Sequence, residues 1–249
     1  MSKDLFAHMP SHLKKRLLSF CFNRWGGVSR PPFHELNVGY GIGDEPRAVV
    51  KNIDIVKKNC GVSLIFSVRQ VHGTRIYNLD DAHYPVSENT GQIEADGIMT
   101  AQSGIGLMIK TADCQPVAVF DPVNEVIANV HCGWRGNVGG ILQRAVGMLS
   151  TAYGSSPRDL WVGIGPSLGP CCAEFKGWRQ LLPKWMHKFQ IKPDYFDFWA
   201  ISKRQLMEAG VPEDQVHVLQ ICTFCNKDYF SYRRERLTGR QATVVALLP

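Results

Sequence analysis

The sequence predicts an α+β fold, a single-domain α/β sandwich of mixed β-sheets flanked by helices. Three observations carry this expectation. Strand-like and helix-like segments alternate along 249 residues with no long linker between them. Hairpin signals sit among the crossovers, which disfavours a regular βαβ ladder. An apolar content of 45%, with 10% aromatic residues, is enough for one sizeable core. One domain is expected over 1–249, without repeats or low-complexity tracts.

Taken in chain order, Asp44 is expected to cap a helix that carries Val49, Ile53 and Val56 on one face and ends near Gly61. Strands follow at 62–68 and around 74–79. The stretch 80–91 is polar and turn-rich and reads as a loop. Residues 97–100 and 106–110 read as strands. Two apolar, β-branched runs, 117–120 and 126–130, flank the turn Asp121-Pro122-Val123-Asn124-Glu125 and predict a β-hairpin. A helix is expected over about 137–153, weakened by Gly139, Gly140 and Gly147. Then come a strand at 160–164, helices at 174–189 and 200–209, and closing strands at 216–222 and 242–248.

Composition excludes several function classes. No apolar run reaches the roughly 18 to 20 residues of a membrane helix. The segment 1–22 contains Lys14-Lys15-Arg16 but no apolar core of signal-peptide length, so a cytoplasmic location is expected. The eight cysteines are scattered, with Cys171 and Cys172 adjacent, and lack the spacing of a secreted disulfide framework. The net charge of +6 suits an anionic small-molecule substrate, and surface lysines account for it equally well. No nucleic-acid module or stripe of interleaved basic and aromatic residues is present, so neither nucleic acid nor membrane is an expected partner. A monomer or small homo-oligomer is expected.

The chemistry concentrates around the hairpin. If its strands pair antiparallel, Cys114 before the first and His131 at the end of the second meet at the open end. A thiol beside an imidazole suggests a metal site or a Cys/His nucleophilic pair, and equally a buried cysteine near a structural histidine. His72, followed by Gly73 between two strand-like segments, is a third candidate ligand. His72, Cys114 and His131 together would leave one position open, the pattern of a catalytic zinc centre. Cys132 faces the other side of its strand and is expected to pack away. Cys222-Thr223-Phe224-Cys225 is a lone CxxC without a second pair at zinc-ribbon spacing, so metal binding is not expected there. No His-x-His pair occurs, which argues against a trinuclear copper centre. Gly39-Tyr40-Gly41-Ile42-Gly43 and Gly163-Ile164-Gly165-Pro166 match neither a P-loop nor a dinucleotide fingerprint. Ser231-Tyr232-Arg233-Arg234 and Thr238-Gly239-Arg240-Gln241 gather hydroxyls and guanidiniums, which hold phosphate or form a solvated basic loop.

Several motifs occur in register: Asn23-Arg24-Trp25-Gly26-Gly27-Val28-Ser29, Leu36-Asn37, Arg69-Gln70-Val71-His72-Gly73, Ala95-Asp96-Gly97, Thr111-Ala112-Asp113-Cys114-Gln115-Pro116 and His131-Cys132-Gly133-Trp134-Arg135-Gly136. Ile164-Gly165-Pro166 with Pro170-Cys171-Cys172, and the two arginine motifs, complete the series. Over nearly its whole length the chain resembles the YfiH/laccase-domain family of purine nucleoside phosphorylases, formerly called polyphenol oxidases. The resemblance implies zinc held by two histidines and one cysteine, matching His72, Cys114 and His131, with copper a lesser candidate. It also implies phosphorolysis of adenosine, inosine and 5′-methylthioadenosine, and deamination of adenosine. Purine nucleoside and phosphate would be the partners. The pattern departs at Asn52-Ile53, where the family commonly has Asn-Arg, and at Cys132, where a smaller residue is usual.

On this basis Arg135, Arg233 and Arg240 are candidates to orient phosphate, and Asn37 a polar contact to substrate. Cys114 is placed in the catalytic machinery as a ligand. Asp113 is a second candidate catalytic group, as an orienter or proton shuttle, or it caps a turn. The H-x-E and P-C-x-x-C signature of zinc nucleobase deaminases is absent. A competing enzyme reading makes Cys114 a nucleophile and His131 its base, in a hydrolase or deamidase, with the editing of a cell-wall precursor as a related variant. A third makes the chain a metal-dependent purine-binding module without turnover.

Overall fold

A computed structural model describes residues 2–81 and 90–249. In chain order its strands are β1 (Leu17–Cys21), β2 (Leu64–Arg69), β3 (Ile76–Asn78), β4 (Thr90–Glu94), β5 (Gly97–Thr100), β6 (Ile105–Thr111), β7 (Gln115–Asp121), β8 (Val126–Cys132), β9 (Trp161–Ile164), β10 (Gln190–Lys192), β11 (Tyr195–Phe196), β12 (Val216–Val218) and β13 (Gln241–Leu247). The helices are α1 (Pro46–Cys60), α2 (Trp134–Val138), α3 (Ile141–Tyr153), α4 (Trp178–Leu181), α5 (Phe198–Glu208) and α6 (Tyr232–Glu235). One sheet runs β1-β13-β6-β2-β4 and the other β12-β9-β7-β8-β5-β3, each mixing parallel and antiparallel pairs. The mixed-sheet sandwich expected from the sequence is therefore present.

The period-two geometry of strands explains the layering. Along β7 and β8 every residue is buried, so both faces are covered. Ala118, Phe120 and Ile127 face the other sheet and meet Leu107, Ile109 and Val245. Val117, Val119, Val126, Ala128 and Val130 face the opposite way and pack on Ile141, Leu142, Ala145 and Leu149 of α3 and Leu206 of α5. The outer face of the five-stranded sheet carries Ile65, Met108, Val244 and Ala246, which pack with Val56 and Cys60 of α1. The order of layers is helix, sheet, sheet, helix.

One polar side chain bridges the two sheets. Asn129 of β8 is fully buried, and its amide donates to the Leu107 and Thr243 carbonyls, each at 2.9 Å. Asn129→Ala is expected to lower stability by about 1–3 kcal/mol through two orphaned carbonyls. The check is a lower urea midpoint with an unchanged slope.

The structure corrects several boundaries. Asp44 does not cap α1: Glu45 holds that position, and the Asp44 carboxylate accepts from Ser29 Oγ at 2.6 Å and Asn37 Nδ2 at 2.7 Å. The helix over 137–153 is two helices, because Gly140 takes φ +72° and turns the chain between α2 and α3. The helix over 174–189 is absent. Pro183 separates the single turn α4 from a 3₁₀ segment, Lys184–Phe189, and the chain then forms the β10–β11 hairpin. The strand over 216–222 stops at Val218. The strand β1 was not anticipated. Of the loop expected at 80–91, residues 82–89 lie outside the described residues, and β4 begins at Thr90. No helix among the described residues is long and apolar enough to cross a membrane.

Candidate functional site

The hairpin of β7 and β8 pairs Gln115 with Cys132 and Pro116 with His131. Its turn is fixed by Asp121, whose Oδ1 accepts from the Val123 and Asn124 amides at 2.8 and 3.1 Å. Cys114 stands one residue before β7, at the open end, beside His131. His72 arrives from the 70–75 loop between β2 and β3, with φ +58° at its own backbone. The ligand atoms of His72, Cys114 and His131 lie within 4.8 Å of one another. The two imidazole rings meet edge to face at 82°, with centroids 4.8 Å apart. Gly133 makes room for this meeting: a Cβ there would come within 3.1 Å of Cys114 Sγ and 3.2 Å of His72 Cδ2.

Asp96 organises the centre. Its carboxylate is fully buried and accepts from the amides of Val71 at 3.3 Å, His72 at 2.9 Å and Gly73 at 2.6 Å. It also faces His131 Nδ1 at 2.8 Å. One carboxylate thus fixes both the loop that carries His72 and the ring orientation of His131, leaving Nε2 for the site. Sequence reasoning had Asp96 within the motif Ala95-Asp96-Gly97 but gave it no role; nothing local marks a side chain that works on residues 24 and 35 positions away.

The electrostatics follow from these contacts. Burial alone would raise the Cys114 thiol, but His131 and His72 against it bring it down to about 6. Burial alone would lower His131, but Cys114 and Asp96 raise it to about 9. Cys132, one residue on, is packed in the apolar layer against α3, where burial raises its thiol well above the ordinary value.

A cavity of about 780 Å³ opens over the three side chains, within the range of small-molecule sites. Its wall includes Trp134, Phe175 and Phe198, whose rings meet edge to face at 5.0 and 5.7 Å. Lys110, Arg233 and Arg240 also line it. Lys110 sits on β6 and donates to the Val68 carbonyl at 3.1 Å, and burial lowers it to about 8. Sequence reasoning missed this lysine, which has no motif of its own. Arg240 donates to the Thr238 and Gly239 carbonyls at 2.9 and 3.0 Å. Arg233 donates to the Glu174 carbonyl at 2.9 Å.

Two of the predicted site residues, Asn37 and Arg135, lie off the cavity wall, and Asp113 lies on it. Asn37 is fully buried and does not line the cavity. Its Oδ1 accepts from the Gly39 and Arg240 amides, both at 2.8 Å, so it sets the loop beside Arg240. Arg135 is on the exposed side of α2, with its guanidinium 4.3 Å from the Trp134 ring centroid, and does not line the cavity. Asp113 lines it, but both carboxylate oxygens are engaged. Oδ1 accepts from Thr223 Oγ1 at 2.7 Å, and Oδ2 from the Arg233 amide at 2.6 Å, at the start of α6. These two contacts tie Asp113 to the loops that carry Thr223 and Arg233. Ile53 packs on the apolar layer under α1, away from the cavity lining.

A family model described as multi-copper polyphenol oxidoreductase laccase matches residues 18–248. The chain belongs to this family. Among laccase-domain relatives, a purine nucleoside phosphorylase of Streptomyces coelicolor is 34% identical, over 90% of this chain and 93% of its own length. Another, from Streptomyces griseus, is 32% identical over 90% and 92%. The purine nucleoside phosphorylase YfiH of Escherichia coli is 28% identical over the full length of both. Among solved structures, YfiH of Bacillus licheniformis superposes with a TM-score of 0.84 at 29% identity, covering 94% of each chain. A Neisseria meningitidis protein gives 0.82 at 27%, covering 100% of this chain and 99% of that one. One set of two imidazoles and a thiol, His72, Cys114 and His131, is the sole histidine-containing cluster of three or more donors among the described residues.

Proposed function

We propose that this chain is a zinc-dependent purine nucleoside phosphorylase acting on adenosine, inosine and 5′-methylthioadenosine, and that it also deaminates adenosine. The observation that carries the reading is the convergence of His72, Cys114 and His131 on a cavity that Lys110, Arg233 and Arg240 also line. The relatives' names contribute purine nucleoside and phosphate as substrates. The donor set fits zinc: a soft thiol and two imidazoles from separate elements, one imidazole oriented by a carboxylate. Copper accepts the same donors and is the second candidate. When bound there, zinc supplies a Lewis acid at the cavity wall. Eight free cysteines suit a reducing cytoplasm.

The chain's own groups bind and orient. Arg233 and Arg240 approach phosphate from the C-terminal motifs and Lys110 from β6, with charge-assisted hydrogen bonds. The Trp134, Phe175 and Phe198 wall offers an apolar face to the purine. In phosphorolysis a phosphate oxygen bonds to the ribose anomeric carbon while its bond to the base nitrogen breaks. The base leaves with the bonding pair and takes up a proton. Holding both reactants in one cavity removes most of the entropy cost of their meeting.

Lys110 makes the phosphate step sensitive to pH. Its ammonium loses the proton as pH rises through about 8, and phosphate affinity is expected to fall there. Lys110→Met is expected to raise the phosphate KM severalfold at neutral pH, with a smaller change in nucleoside KM, and to remove that limb of the profile. The effect on stability has the opposite sign. Between about 8 and the ordinary lysine value of 10.5, the unfolded chain binds a proton that the folded chain has released, so stability rises with pH. The methionine variant is expected to lack that rise, read as urea midpoints across the window.

A second reading rests on the contact chain from Cys114 through His131 to Asp96. Without metal, these are a nucleophile, its base and an orienting carboxylate, suited to hydrolysis or deamidation. Adenosine with and without phosphate tests the main proposal. Zinc-loaded protein is expected to release adenine only with phosphate and inosine without it. Absence of any turnover of the three nucleosides by zinc-loaded protein would contradict it.

A further inference from the structure

A second cluster of metal-binding side chains lies outside the centre described above. Cys171, Cys172, Cys222 and Cys225 place their four sulfurs within 4.8 Å of one another. Cys225 Sγ is 3.4 Å from Cys172 Sγ and 3.7 Å from Cys171 Sγ. Four thiolates about 2.3 Å from a tetrahedral zinc stand about 3.8 Å apart, so the cluster already has the dimensions of such a site. A disulfide needs about 2.05 Å between sulfurs, and none is formed.

The surroundings do not fit a packing cluster. Free cysteine is ordinarily a small buried hydrophobe, yet Cys171 and Cys225 are exposed. The loops that bring the four together are pinned in register. The Ser167 amide donates to the Ile221 carbonyl at 3.1 Å, and the Thr223 amide to the Ser167 carbonyl at 3.0 Å. The Gly169 amide donates to Cys222 Sγ at 3.3 Å, the kind of outer hydrogen bond that steadies a thiolate ligand. Arg234 ties the second loop down, donating to the Thr223 and Phe224 carbonyls at 2.6 and 2.9 Å.

We propose that Cys171, Cys172, Cys222 and Cys225 bind a second zinc ion in a closed, structural tetrathiolate site. Four protein ligands leave no open position, so the ion does no chemistry. It clamps together the loops after β9 and β12. Thr223, within the second loop, donates to Asp113 beside the cavity, so the clamp steadies one wall of the candidate active site. The CxxC that looked isolated in the sequence has its partners in Cys171 and Cys172.

The test uses the full chain purified without added metal. Cys114→Ala is expected to retain one zinc per chain by elemental analysis, and Cys114→Ala with Cys222→Ser and Cys225→Ser to retain none. Cobalt exchanged into Cys114→Ala should give the strong visible absorption of tetrahedral cobalt thiolate. The exposed thiols should resist alkylation until a chelator is added. Should the triple variant fail to fold, Cys225→Ser alone, at an exposed position, should still lose one zinc relative to the unsubstituted chain. An unchanged zinc content in Cys225→Ser would overturn the proposal. So would fewer than eight free thiols in denatured, chelated, unreduced protein, which would mean a disulfide.

Discussion

Cys114→Ala is expected to abolish nucleoside turnover and to remove one equivalent of metal per chain. Cys114 is the sole thiol among the three donors at the cavity, and the two remaining imidazoles come from elements far apart in sequence. A metal held by two histidines alone loses the charged, soft ligand that selects zinc over harder ions. Cys114→Ser keeps the size of the side chain but offers a hydroxyl, so zinc affinity and turnover should both fall by at least about tenfold. The same variants separate the two enzyme readings. A thiol hydrolase would also lose activity in Cys114→Ala, but its metal content would not change. Elemental analysis beside the adenosine assay therefore decides between ligand and nucleophile.

The second large effect is expected at Asp96. Four partners converge on this fully buried carboxylate: three consecutive backbone amides of the His72 loop and the ring of His131. Asp96→Asn replaces one acceptor oxygen with a donor, so at least one amide or the His131 ring loses its partner. Metal affinity at the His72–Cys114–His131 centre should fall about 10- to 100-fold, as for other outer-shell carboxylates. Asp96→Ala leaves the amides with no acceptor at about 1–3 kcal/mol each, so stability should fall by several kcal/mol as well. The carboxylate also sets a pH dependence. Burial would raise it, but His131 and the loop amides outweigh that and hold it below the ordinary value. A depressed carboxylate stabilises the fold above its unfolded value, near about 3.9, and that contribution is lost as pH falls through the lower folded value. The unsubstituted chain should lose stability in that acidic window, and Asp96→Asn should lack that part of the decline.

What could be read from the sequence was what depends on short-range pattern. The β7–β8 hairpin and the meeting of Cys114 with His131 follow from two β-branched runs around an Asx turn. The packing of Cys132 away from the site follows from strand alternation. Sheet order, and the coverage of both faces of β7 and β8, depend on contacts between distant segments. The 174–189 segment misled because its apolar spacing suits a helix, whereas Pro183 and the tertiary cluster of Trp178, Met186 and Phe196 set the chain path. Site residues divide in the same way. His72, Cys114 and His131 carried recognisable chemistry. Asn37 and Arg135 have polar groups too, but the fold spends one on its own loop and turns the other outward, neither of which is written locally. Lys110 and Asp96 matter through where β6 and the 95–97 segment lie, so only the assembled molecule reveals them. Cys171, Cys172, Cys222 and Cys225 are the clearest case: two short motifs far apart in sequence, unremarkable singly, meet at one point.

The most direct test of the central claim is anomalous X-ray scattering at the zinc edge, on crystals of Cys222→Ser/Cys225→Ser protein purified without added metal. That background keeps the cavity centre and removes two of the four clustered cysteines. The account predicts one strong peak within bonding distance, about 2.0–2.3 Å, of a nitrogen of His72, Sγ of Cys114 and Nε2 of His131. Fully active protein without a peak there, or with His72 turned away from the ion, would contradict it.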